Sequence, residues 1–91
     1  MTLKQYEARL RLLPCVVCTH MGQTRPCEEL HHAGDATDRD DWNQIPVCHS
    51  CHQGPNGIHG LRRRGFESRY KTTEMKLLAL TRQLYAKEFG A

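Results

Sequence analysis

Apolar residues recur at helical spacing near both ends of the chain, and only short apolar runs lie between. Leu3, Tyr6, Leu10 and Leu13 share one face of a predicted helix that Thr2 caps and Pro14 stops. Residues 15 to 29 (CVVCTHMGQTRPCEE) are turn-rich. Leu30-His31-His32-Ala33, ended by Gly34, reads as a short strand, and Ile45-Pro46-Val47 as a second. A polar loop (DATDRDDWNQ, 35 to 44) joins them. A one-turn helix is predicted around Cys48 to His52, broken by Gly54-Pro55-Asn56-Gly57. Helix is expected again near Gly65 to Tyr70. Thr73 then caps a final helix on which Leu77, Leu80 and Leu84, with Leu78, Tyr85 and Phe89, form a broad apolar face. The terminal helices are expected to pack together and supply much of the core.

Length turns this pattern into a problem of stability. Ninety-one residues make one domain, and a chain of this size buries only about 60% of the surface it exposes when unfolded. With 38% hydrophobic residues and only two Phe, three Tyr and one Trp, the core is thin. Five Cys and six His are the candidate staples. There is no apolar run near 18 residues and no signal-peptide pattern, so a soluble, cytoplasmic protein with no membrane partner is expected. In such a reducing compartment paired cysteines read as metal ligands, and an odd count fits a disulfide framework poorly.

The C-x-x-C pair Cys15/Cys18 and its counterpart Cys48/Cys51 carry the spacing of a tetrahedral four-thiolate zinc site. Structural zinc in small modules contributes on the order of 10 kcal/mol to folding, enough to offset a thin core. Cys27 is left over, either as a free or buried thiol or as a replacement ligand. His20 and His49 read as ordinary polar positions, His49 hydrogen-bonding a thiolate or facing solvent.

His31, His32, His52 and His59 then need an explanation. Neighbours on a strand point to opposite faces, so His31 and His32 cannot serve one ion equivalently. One suits metal binding and the other proton chemistry. His52 follows the last thiolate directly, and the Gly-Pro-Asn-Gly break is expected to fold His59 back. The frame Cys15-Val-Val-Cys18, His31-His32 and Asn43-Gln-Ile-Pro-Val-Cys48-His-Ser-Cys51-His52 resembles the HNH nucleases. The stretch through Gly57-Ile58-His59-Gly60 to Tyr70 is similar to phage recombination-enhancement nucleases of the RecA-dependent type. Departures are Cys51, where many of that group have His, and a start almost directly at the first helix rather than a long basic extension.

The resemblance implies a small α+β fold, a zinc-stapled ββα-metal motif over about 14 to 70 flanked by N- and C-terminal helices. It implies His31, His52 and His59 as ligands of one catalytic divalent ion (Mg2+, Mn2+, Ni2+ or Zn2+), as in the three-histidine sites of colicin nuclease domains. It also implies His32 as general base and Asn43 as the loop residue that holds the hairpin and orients that base. A neutral imidazole, with a pKa of about 6.5, can take a proton from water near neutrality.

The net charge of +3 is modest, but Arg62, Arg63, Arg64, Arg69 and Lys71 face only Glu67, whereas Asp35, Asp38, Asp40 and Asp41 cluster about Arg39. A basic segment beside metal ligands suits a polyanion, with Arg62, Arg63 and Arg64 on flanking phosphates. The expected partner is double- or single-stranded DNA, with a recombinase filament as a second partner and a monomeric or weakly dimeric state. The rival from another class is a non-catalytic zinc module that recognises nucleic acid or protein. An RNA-directed nuclease with the same site is a further alternative.

Overall fold

A computed structural model describes residues 1–34 and 40–90. The chain order is α1 (Leu3–Leu10), α2 (Val16–His20), β1 (Glu29–His32), β2 (Gln44–Val47), α3 (His49–Gln53), α4 (Ile58–Tyr70) and α5 (Glu74–Phe89). This is a small α+β arrangement in which a two-stranded antiparallel hairpin leads directly into α3. Its register pairs Glu29 with Val47, Leu30 with Pro46, His31 with Ile45 and His32 with Gln44.

Thr2 caps α1 through a reciprocal box with Gln5: each side chain bonds the other's backbone N–H, at 3.1 and 2.9 Å. The helix ends at Leu10, four residues short of Pro14, and Leu13 is buried beyond it. Thr73 caps α5 by accepting from the Lys76 N–H at 3.1 Å. The stretch read as turns holds α2. There Cys15 caps the helix with its own sulfur, and Val16 and Val17 are fully buried. Their two apolar side chains make this short helix a core element, which its flanking Gly, Pro and Cys disguise.

The core gathers Val16, Val17, Ala33, Ile45, Val47, Ile58, Phe66, Leu77 and Leu78 around the cysteine pairs. α5 packs on α2 and β2, so its apolar face meets the knuckle and hairpin. It touches α1 along an aromatic row in which Tyr6 lies 5.2 Å from both Trp42 and Tyr85. Arg9 sits over Phe89 at 5.5 Å. The terminal helices therefore meet, but much of the core lies elsewhere, because the leucines of α5 are taken up by α2 and β2.

Helix α4 begins at Ile58, seven residues before the predicted start at Gly65, and is kinked at Arg62 (φ 60, ψ 177). That region of backbone space is strained for any residue with a Cβ, at a cost of about 1–3 kcal/mol. Within the predicted 35 to 44 loop, Asp35, Asp38 and Arg39 lie outside the described residues. Asp40 closes a turn after them: its carboxylate accepts from the Trp42 N–H at 2.8 Å and its carbonyl from the Asn43 N–H at 2.9 Å. No helix among the described residues is long and apolar enough to cross a membrane.

Candidate metal centres

Two clusters of metal-ligating side chains form at the hairpin-to-helix junction, and adjacent residues feed them. Cys15 and Cys18 come from the start of α2, and Cys48 and Cys51 from the start of α3. Their sulfurs all lie within 4.8 Å of one another. Cys18 Sγ is 3.9 Å from Cys48 Sγ and 3.7 Å from Cys51 Sγ. Four sulfurs about 2.3 Å from a tetrahedral ion stand about 3.8 Å apart, so the spacing suits a metal such as zinc and not a disulfide. Burial and the adjacent Cys15 thiol push the Cys18 pKa up to about 12. Burial, with Cys15 and the other thiols, raises Cys51 as well. Burial opposes ionisation of Cys48, but hydrogen bonds from Cys51, Cys15 and Cys18 bring it below the usual thiol value. A bound cation would offset the resistance of Cys18 and Cys51 to ionisation and release their protons.

Cys27 is not in the cluster. Its thiol donates to the Glu29 carbonyl at 3.2 Å, and burial raises its pKa. His20 Nε2 lies 2.8 Å from the Tyr70 carbonyl. His49 does not bond a thiolate: its Nδ1 faces Glu29 at 3.0 Å while its backbone N–H donates to the Glu28 carboxylate. The ring is exposed, and its hydrogen bond to Glu29 raises its pKa.

The second cluster joins His31 of β1, His52 of α3 and His59 of α4. His31 Nδ1 is 3.2 Å from His52 Nε2, which is 3.1 Å from His59 Nε2. Nitrogens about 2.1 Å from one ion stand about 3.0 Å apart at right angles and about 3.4 Å apart in a tetrahedron. The observed spacing falls between these values. Gly57 and Gly60 make the approach possible. A Cβ on Gly57 would meet the carbonyl oxygens of Ser50 at 2.6 Å and Cys51 at 2.7 Å, and one on Gly60 would overlap the Gly54 carbonyl. Both glycines are therefore demanded by backbone-to-backbone packing, which seats the first turn of α4 against α3 and returns His59 to His52.

Two carboxylates with no motif to announce them stand behind the rings. Glu74 Oε1 is 2.7 Å from His31 Nε2, and Glu29 Oε1 is 2.8 Å from His52 Nδ1. Hydrogen bonds from His49 and His52 hold Glu29 below the usual carboxylate range. Burial, with the neighbouring His31 and His52, lowers the His59 pKa, so that ring is neutral at pH 7 with a lone pair to offer.

His32, one residue beyond His31, takes the other face of β1, and its Nε2 lies 3.3 Å from Asp41 Oδ1. Asn43 closes the hairpin through its carbonyl, which accepts from the Ala33 N–H at 2.7 Å. Its side-chain oxygen is occupied by Arg82 at 2.8 Å. It thus anchors the hairpin to α5, and the contact to His32 comes from Asp41. Arg62, Arg63 and Arg64 are all exposed, with Arg63 reaching Glu67 at 3.6 Å. A cleft of about 240 Å³ lined by Gly34, Arg63, Glu67, Thr73, Glu74 and Met75 opens beside them. No family model, curated protein or solved structure matches the chain.

Proposed function

We propose that the chain is a metal-dependent DNA endonuclease of the HNH (ββα-metal) kind, stapled by a four-cysteine zinc site. The observation that carries this reading is the convergence of His31, His52 and His59 ring nitrogens within 3.2 Å steps, beside a fourth imidazole held apart from them. The order of elements, a two-stranded hairpin followed directly by the short helix α3, supports the reading as a ββα motif. His31, His52 and His59 would hold a divalent ion, which would supply Lewis acidity to a phosphate oxygen. Nitrogen donors suit nickel or zinc better than magnesium.

The remaining chemistry belongs to the chain. Asp41 Oδ1 lies 3.3 Å from His32 Nε2; with the hydrogen on that nitrogen, the Nδ1 lone pair is left to take a proton from the attacking water. The new bond forms from that water oxygen to phosphorus as the bond to the 3′ oxygen breaks. Arg62, Arg63 and Arg64 bind neighbouring phosphates as charge-assisted donors.

The test is nicking of supercoiled plasmid by the zinc-loaded protein with Mg2+, Mn2+, Ni2+ or added Zn2+. His32→Ala is expected to lose about 10²–10⁴-fold in rate while keeping its fold and cysteine-held zinc. Undiminished cutting by this variant, or no cutting by the parent with any ion, removes the assignment. Binding of DNA without cutting by the parent favours the non-catalytic module, which the exposed arginines and cysteine cluster fit by themselves.

A further inference from the structure

Building on the reading of His31, His52 and His59 as ligands of one ion, we infer that Glu29 and Glu74 are its positioning residues. The pair fixes which nitrogen of His31 and of His52 faces the ion, and it makes α5 a part of the centre. An ionised carboxylate can only accept. At 2.7 Å from Glu74, His31 must therefore carry its hydrogen on Nε2; at 2.8 Å from Glu29, His52 must carry its hydrogen on Nδ1. The two nitrogens that face one another at 3.2 Å, His31 Nδ1 and His52 Nε2, are then both lone-pair bearers. Two lone pairs cannot hydrogen-bond each other, so a contact of 3.2 Å calls for a positive charge between them, as a shared proton or as a bound metal ion. The carboxylates also explain why two rings in one cluster present different nitrogens.

Both carboxylates are themselves fixed. Glu74 is the first residue of α5, directly after the Thr73 cap, on a helix that packs against α2 and β2. The side chains of His31 and Glu74 are only 11% and 18% exposed, so water competes weakly for their bond. Glu29 sits two residues before His31, on the same face of β1, and its second oxygen bonds His49 between the two cysteines of the second knuckle. Neither carboxylate belongs to the three-histidine cluster whose ligand atoms lie within 4.8 Å of one another, so these groups act through the rings. An anionic partner on the far nitrogen makes imidazole a stronger donor, and loss of such a partner typically costs about 10–100-fold in metal affinity.

The experiment titrates Ni2+ into protein already loaded with zinc at the cysteines and follows binding by calorimetry. Glu74→Ala and Glu29→Ala are each expected to weaken Ni2+ binding about 10–100-fold. Glu74→Gln and Glu29→Gln, whose amide oxygen still accepts from the ring, should recover part of that loss. Cysteine-bound zinc, measured by native mass spectrometry, should stay at one per chain in all four. Nitrogen-15 spectra of the nickel-free protein give a readout independent of binding: the parent should hold His31 as the Nε2–H and His52 as the Nδ1–H tautomer, and each Ala variant should release its own ring. Parental Ni2+ affinity together with unchanged tautomers in the Ala variants overturns the inference, as does a parent protein that binds no Ni2+. A parent that binds Ni2+ as described but never cuts DNA defeats the nuclease reading and leaves the positioning pair standing.

Discussion

Gly57→Ala tests how the second centre is built without touching a donor atom. The new methyl would stand 2.6 Å from the Ser50 carbonyl oxygen and 2.7 Å from that of Cys51. Ordinary contact begins near 3.4 Å, so the first turn of α4 must retreat from α3 by about 0.8 Å, since a packed interior has no slack to absorb it. His59 lies two residues after the substitution, and His52 immediately follows Cys51. The retreat therefore falls almost wholly on the 3.1 Å separation of their Nε2 atoms. Coordination tolerates about 0.2 Å of error. The variant should lose about 1–3 kcal/mol of stability, the usual cost of overpacking, and bind Ni2+ at least about tenfold more weakly. Gly65→Ala is the control, since its Cβ meets only the Leu61 side chain at 3.3 Å and gains helix propensity. Calorimetric Ni2+ titration and thermal melts of both zinc-loaded variants give the answer. Parental Ni2+ affinity in Gly57→Ala, with its melting point lowered, would show that His59 and His52 are not held in register by this backbone contact.

Removing one thiolate should act on both centres. Cys48→Ser is expected to lose stoichiometric zinc and cooperative thermal unfolding, because structural zinc contributes on the order of 10 kcal/mol; a sharp melt near the parental temperature would contradict a zinc-dependent core. Arg62→Gly relieves a backbone conformation that suits only glycine. It should gain about 1 kcal/mol after the flexibility of glycine is discounted, or roughly 4–8 °C in melting temperature. A lower melting point would mean that the Arg62 side chain contributes more than its strain removes. If the arginine run binds phosphates, Arg63→Ala and Arg64→Ala together should weaken plasmid binding and flatten its salt dependence by about two phosphate contacts; an unchanged salt slope would place DNA on another face.

Much of the clustering of candidate metal ligands was legible because short spacings encode it locally. A C-x-x-C turn aims two sulfurs at one point whatever surrounds it, and the two pairs do converge. The Gly-Pro-Asn-Gly break foretold that His59 turns back, and strand alternation foretold that His31 and His32 part company. What escaped was set by tertiary context. Glu74 lies 43 positions from the ring it touches, with no periodicity to link them. Glu29 was within reach of the alternation argument, standing two residues before His31, but it falls one residue outside the predicted strand. The helix at Val16–His20 was hidden by its neighbours, since five residues are too few to display a period. The kink at Arg62 runs against local preference and so has no signature at all. Asp41, rather than Asn43, proved to be the side chain against His32.

The four-residue strand carrying His31 and His32 imposes a severe rule on how this chain can vary. Because successive side chains alternate, a shift of pairing by one position would exchange the two imidazoles between faces and bury the wrong one. Two anchors oppose that shift: Gln44 is almost fully buried with its amide donating to Glu7 and to the Asp41 carbonyl, both at 2.7 Å, and Pro46, which lacks an N–H, sits opposite Leu30. Length changes inside either strand are therefore ruinous to this placement. A single inserted or deleted residue between Glu29 and His32 would take His31 away from His52 and His59 as surely as replacing it.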